Sequence, residues 1–208
     1  MIAYKFLAAG AVAPFTGFVW PVPASAGSGP WVSAPGDDER HWIHAARAED
    51  LPYWLDEELW RIELDGPIRA HPTQLAAPRG RLVERAEGWT AEAAKALGAA
   101  SARRVQGGAA AIFEAEGLLA EAEALRAATS VEGLRNAVLA ARAGGRVPAK
   151  AMRIAEYASD ARHRLEGGEI AGVLYIAANA AVLQRGSREG AAEERAWQAR
   201  WIVDRIGL

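Results

Sequence analysis

The chain holds four histidines and no cysteine, so any chemistry it performs must use imidazole and oxygen groups. That one count removes disulfides, thiolate metal sites, iron–sulfur ligation and cysteine nucleophiles. His41, His44 and His71 lie early in the chain, interleaved with aromatic residues. An imidazole titrates near neutrality and can act as a general base or orient a ligand. His44 is the candidate catalytic residue on that ground, with Asp50, Asp56 or Glu63 as carboxylates that could orient it in a cleft. Read as a strand, His41-Trp42-Ile43-His44 sends its two imidazoles to opposite faces, which argues against a chelating pair.

Other constellations carry less. Glu156, Asp160 and His163 share one helix face, but Arg153, Arg162 and Arg164 crowd the same stretch and the acidic residue before the histidine is Asp rather than Glu. A solvated face with internal ion pairs explains them, and no metal is assigned. Asp37-Asp38-Glu39 and Asp56-Glu57-Glu58 read as solvated turns. Gly27-Ser28-Gly29-Pro30 lacks the strand, helix and Lys-Ser/Thr ending of a phosphate cradle, and no Gly-x-Ser-x-Gly elbow occurs. No cofactor is called for by any motif.

The strongest anomaly is aromatic. Six of the eight tryptophans fall by Trp89, alongside Phe15, Phe18 and Tyr53. Tryptophan combines a large apolar surface with one N–H donor, so this density serves either a small core or an aromatic-lined pocket. Trp20, Trp42 and Trp54 are the candidate binding residues. Asn179, a polar residue inside Ile176-Ala177-Ala178-Asn179-Ala180-Ala181, is a fourth: a buried amide must be paired, here by fixing helix register or by meeting the N-terminal module.

The elements that would position these residues split the chain in two. Residues 1–89 are punctuated by Pro and Gly and read as short strands at 3–7, 17–20, 31–33, 42–45, 59–64 and 81–85. The clearest, Leu59-Trp60-Arg61-Ile62-Glu63-Leu64, alternates and ends at Asp65-Gly66-Pro67. A short helix is expected at 49–55, with Asp50 capping ahead of Pro52. Residues 90–208 turn to Ala, Glu, Arg and Leu. Thr90 caps a first helix that Gly107-Gly108 should break or bend; further helices are expected at 109–127, 130–143, 148–165, 170–184 and 189–206. Ile170 to Gln184 is apolar nearly all round and is expected to be central. Trp197 and Trp201, four apart, should stack on one face that could pair two copies. The expectation is therefore an α+β protein: a Trp-rich, β-containing module at 1–89 and an Ala-rich bundle of about five helices at 90–208, acting as one cooperative unit.

Lys and Arg number 24 against 26 Asp and Glu, so a nucleic-acid partner loses its electrostatic basis. The apolar runs are too short or interrupted for a membrane span. The start imitates a secretory signal, with Lys5, a Phe6 to Ala13 apolar run and an Ala24-Ser25-Ala26 triplet. Pro14 interrupts that run, the positive region is a single lysine, and Phe15, Phe18, Trp20 and Trp31 look like core aromatics. A cytoplasmic protein is expected, with secretion through a cut near Ala26 as the alternative.

Tyr4-Lys5-Phe6-Leu7, Gly17-Phe18-Val19-Trp20-Pro21, Gly29-Pro30-Trp31-Val32, His44-Ala45-Ala46, Leu51-Pro52-Tyr53-Trp54-Leu55 and Glu58-Leu59-Trp60-Arg61-Ile62-Glu63-Leu64-Asp65-Gly66 resemble a family of uncharacterised proteins from high-GC bacteria. The closing Glu194-Arg195-Ala196-Trp197-Gln198-Ala199-Arg200-Trp201 resembles it too. The resemblance implies no particular activity. It implies that relatives carry cysteine close to the histidine, where this chain has Ala46, so a thiol is not required here.

The leading expectation is a soluble bacterial accessory protein that binds a small molecule or protein partner at the seam between module and bundle. An enzyme using His44 with a carboxylate, and a structural homodimer, are the alternatives.

Overall fold

Alternation at the N-terminus produces strand β1 (Ile2–Leu7), which buries Ala3 and Leu7 on one face and Phe6 on the other. The structure, a computed structural model, describes residues 1–24, 27–145 and 147–207; Ser25 and Ala26 of the signal-like triplet lie outside the described residues. The chain is α+β, with N-terminal strands and C-terminal helices. It resolves into two compact units, Met1–Ala93 with Ala199–Leu208, and Ala94–Gln198.

In the first unit, β2 (Val32–Ser33), β3 (Ile43–Ala45), β4 (Glu58–Asp65), β5 (Arg69–His71), β6 (Gln74–Ala77) and β7 (Arg79–Arg85) follow β1. They make a four-stranded antiparallel sheet in the order β1-β4-β7-β2 and a three-stranded one in the order β3-β6-β5. Backbone bonds between Tyr4 and Ala46, at 2.9 and 2.6 Å, tie β1 to the end of β3. The expected alternation of β4 holds. Trp60, Ile62 and Leu64 enter a core with Leu7, Trp20, Ile43, Leu75 and Leu82. The other face carries ions in register with β7: Arg61 pairs with Glu84, Glu63 with Arg81 at 2.6 Å, and Asp65 with Arg79 at 3.1 Å.

Four local expectations change. Residues 17–20 form no strand; Val19 makes only an isolated bridge to Val12, because the chain is spent on a turn in which Ala13 N–H donates to the Phe18 carbonyl and Gly17 N–H to that of Ala13. Phe15 is 86% exposed rather than a core aromatic, and Trp31 lies on the ionic face under the Arg79 and Arg81 guanidinium groups at 4.9 and 4.5 Å. The short helix is a 3-10 turn, Ala48–Tyr53, and Asp50 lies inside it rather than at its cap, because the carboxylate is taken by Arg47 at 2.5 Å. The β5–β6 hairpin was not expected. Its Pro72-Thr73 turn is held by side chains distant in sequence: Arg47 donates to the Pro72 carbonyl at 3.0 Å, and the Trp54 indole N–H to that of Thr73 at 2.6 Å.

The helices are α1 (Ala91–Ala115), α2 (Leu119–Ala127), α3 (Val131–Ala143), α4 (Ala149–Glu166), α5 (Ile170–Arg185) and α6 (Glu189–Ile206), six among the described residues. Thr90 Oγ1 accepts from Ala93 N–H, and Ser130 Oγ from Gly133 N–H, both at 3.1 Å, as capping chemistry requires. Gly107-Gly108 does not break α1. A β-carbon at Gly108 would meet the amide end of the Gln184 side chain of α5, which would have to swing aside. The break falls at Gly117, which takes a positive φ of 75°. Phe113, Leu125, Leu134 and Ile154 anchor the core of the second unit among small alanines. Helix α5 is not buried all round, since Tyr175 is 63% exposed. No ring contact joins Trp197 to Trp201 among the described residues. Trp197 is covered instead by the Arg104 guanidinium at 4.2 Å, which also pairs with buried Glu194 at 3.0 Å.

Candidate functional site

Three of the four candidate binding residues, and the candidate catalytic one, come together in the first unit. Trp20, Trp42, Trp54 and His44 line a cavity of about 770 Å³. Trp20 reaches it from the arm after β1, His44 from β3, Trp42 from the residue before β3, and Trp54 from the end of the 3-10 turn. Tyr4, Phe6, Phe15, Phe18 and Tyr53 complete the aromatic lining. Core and pocket are thus not exclusive readings: Trp20 is almost wholly buried, while Phe15, Phe18 and Tyr53 remain exposed.

Asn179 does not line this cavity. It lies on α5 in the second unit, and its amide donates to the Tyr175 carbonyl one turn back at 3.1 Å, bonding within its own helix.

The residue that sequence reasoning missed is Lys5. Strand alternation puts it on the same face of β1 as buried Ala3 and Leu7, and a lysine in the buried phase of an alternating strand was the available signal. Its Nζ donates to the His44 carbonyl at 2.6 Å and stands 5.4 Å from the centre of the Trp20 ring. Burial pushes the Lys5 amine down to about 8 from its ordinary 10.5. No carboxylate lies within ion-pair reach of it among the described residues. Of the other charged residues in the lining, Arg40 is occupied by Asp38 at 2.6 Å, and Asp56 Oδ1 accepts the Glu57 N–H at 2.9 Å.

Burial, reinforced by the Lys5 and His71 charges, lowers the His44 pKa against a smaller opposing pull from Glu39. His44 is therefore a neutral imidazole at pH 7. Its Nδ1 is buried without a hydrogen-bond partner. None of the carboxylates considered for it is committed to it: Asp50 is paired with Arg47 at 2.5 Å and Glu63 with Arg81 at 2.6 Å, while Asp56 bonds the Glu57 backbone. His71 lies with its ring centre 6.4 Å from that of His44 and holds Glu39 at 2.9 Å. His41, exposed at the end of a 3-10 turn, Glu39–His41, also borders the cavity. Glu156 of the three-residue helix face is bound to Arg142 and, at 3.3 Å, to Arg153.

No protein-family model, no curated protein and no solved structure matches the chain. No helix among the described residues is long and apolar enough to cross a membrane.

Proposed function

We propose that this chain is a binding protein, an accessory rather than a catalyst, for a small and largely apolar molecule held in the cavity of its first unit. The observation that carries this reading is the convergence of Trp20, Trp42 and Trp54 on a cavity of about 770 Å³, the size and lining of a small-molecule site. Binding is favoured over turnover because His44, the one imidazole in a concave setting with a buried unpaired nitrogen, has no carboxylate to orient it. Residues 1–24 supply β1 and Trp20 to the core of the same unit, which supports reading the signal-like segment as part of the working protein in a bacterial cytoplasm.

A fragment screen by ligand-observed NMR and thermal shift on the full chain tests it. Aromatic fragments are expected to bind saturably, and Trp42→Ala, at a half-buried position, to weaken them about tenfold, the effect of losing one well-packed aromatic wall. Absence of saturable binding, or binding indifferent to Trp42→Ala, would overturn the reading.

A further inference from the structure

We propose that the ligand carries a carboxylate and that the Lys5 ammonium is its seat. This rests on the cavity being the binding site, and names the chemistry it accepts.

An ammonium has three N–H donors, and Lys5 spends one on the His44 carbonyl at 2.6 Å. The Trp20 ring 5.4 Å away offers its π-face but no acceptor atom. Proteins keep a buried cation by pairing it, because a lone one is heavily penalised when it leaves water. Here the partner is missing from the chain itself: among the described residues the nearby acids are committed elsewhere, Glu39 to His71 and Arg69, Asp50 to Arg47, and Glu58 to Arg85. Arg40, the other full cation of the lining, is already neutralised by Asp38 at 2.6 Å. The wall is thus aromatic, with the Lys5 ammonium unpaired and the lining's one free carboxylate, Asp56, turned to the Glu57 N–H rather than to the ammonium, and the complement of the Lys5 side of that wall is an apolar or aromatic body ending in a carboxylate. A second polar group is free in the same lining, the buried Nδ1 of neutral His44, which suits a second oxygen as its hydrogen-bond partner.

The discriminating probes are indole-3-acetate, indole-3-propionate and indole-3-butyrate, each paired with its primary amide, which keeps the shape and removes the charge. Titration calorimetry at pH 7 on the full chain is expected to show the best acid binding about ten- to a hundredfold more tightly than its amide, the worth of a hydrogen bond to a charged group. In Lys5→Met that ratio is expected to collapse to near unity. Should the variant not fold, the ratio in the unaltered chain decides alone. Equal affinity for acids and amides, or neutral fragments binding while no acid does, overturns the carboxylate and leaves the cavity standing. Failure of acids, amides and screened fragments alike overturns both.

Discussion

Lys5→Met is expected to abolish a rise in stability that the unaltered chain shows between about pH 8 and 10.5. Below that window Lys5 is charged in both the folded and the unfolded chain, and the fold bears the full penalty of burying it. Within the window the unfolded chain still holds the proton while the folded one has released it, so raising the pH favours the folded state. The lowering from 10.5 to about 8 corresponds to on the order of 3 kcal/mol at most. Every other titratable side chain of the lining is shared by both chains, so the difference between variant and unaltered chain isolates Lys5. Urea unfolding from pH 7 to 10 provides the measurement. Parallel pH profiles for the two chains would show that the amine is not buried at such a penalty. The penalty is also the functional point, since a carboxylate ligand would relieve it.

Glu58→Ala is expected to lower stability by about 2–4 kcal/mol. Glu58 is a buried carboxylate that accepts the Gly10 and Ala11 N–H groups, each at 3.2 Å, and the Trp60 indole N–H at 2.9 Å, with Arg85 at 3.4 Å. Burial alone would push its pKa up, but the Trp60 and Gly10 hydrogen bonds and the Arg85 charge hold it below the ordinary value. Its contribution is therefore present at neutral pH and is lost as the pH falls through that lowered value. The carboxylate also steadies Ala11, a non-glycine residue at a φ of 58°, a backbone conformation that needs outside support. Ala11 begins the arm that delivers Phe15, Phe18 and Trp20 to the cavity, so the damage should extend from stability to ligand affinity. Water can reach Glu58 from an open concavity of about 800 Å³, which keeps the expected loss below that of a sealed ion pair. Denaturant unfolding with a loss under about 1 kcal/mol would show that solvent replaces the carboxylate freely.

What could be read in the residues follows from how local the causes are. Helices α3, α4 and α5 start and stop where Ser130, Pro148 and Gly186 act on the adjacent backbone, and such causes are visible in sequence. Strand β4 was legible because one face is apolar and the other pairs ions with β7. The β5–β6 hairpin was not, because Arg47 and Trp54 hold its turn from far along the chain and its own residues carry little strand preference. Gly108 misled for a similar reason: a glycine that ends a helix and one that admits a neighbouring side chain look alike until the neighbour is in place. The tryptophans of the site are marked by their density, whereas Lys5 enters the sequence reading only as the single cation of a signal-like start. Only its phase on β1, two residues from Ala3 and from Leu7, distinguishes it. Asn179 was singled out by an apolar context, but its own helix satisfies its amide.

The central claim is most directly tested by the indole N–H signals in a two-dimensional NMR spectrum of the full chain, assigned by single Trp→Phe variants and recorded while the tightest fragment is titrated. Saturable shifts are expected at Trp20, Trp42 and Trp54, the indoles that line the cavity, with Trp197 and Trp201 unmoved. Shifts confined to Trp197 and Trp201, with the three cavity indoles unchanged, would contradict it.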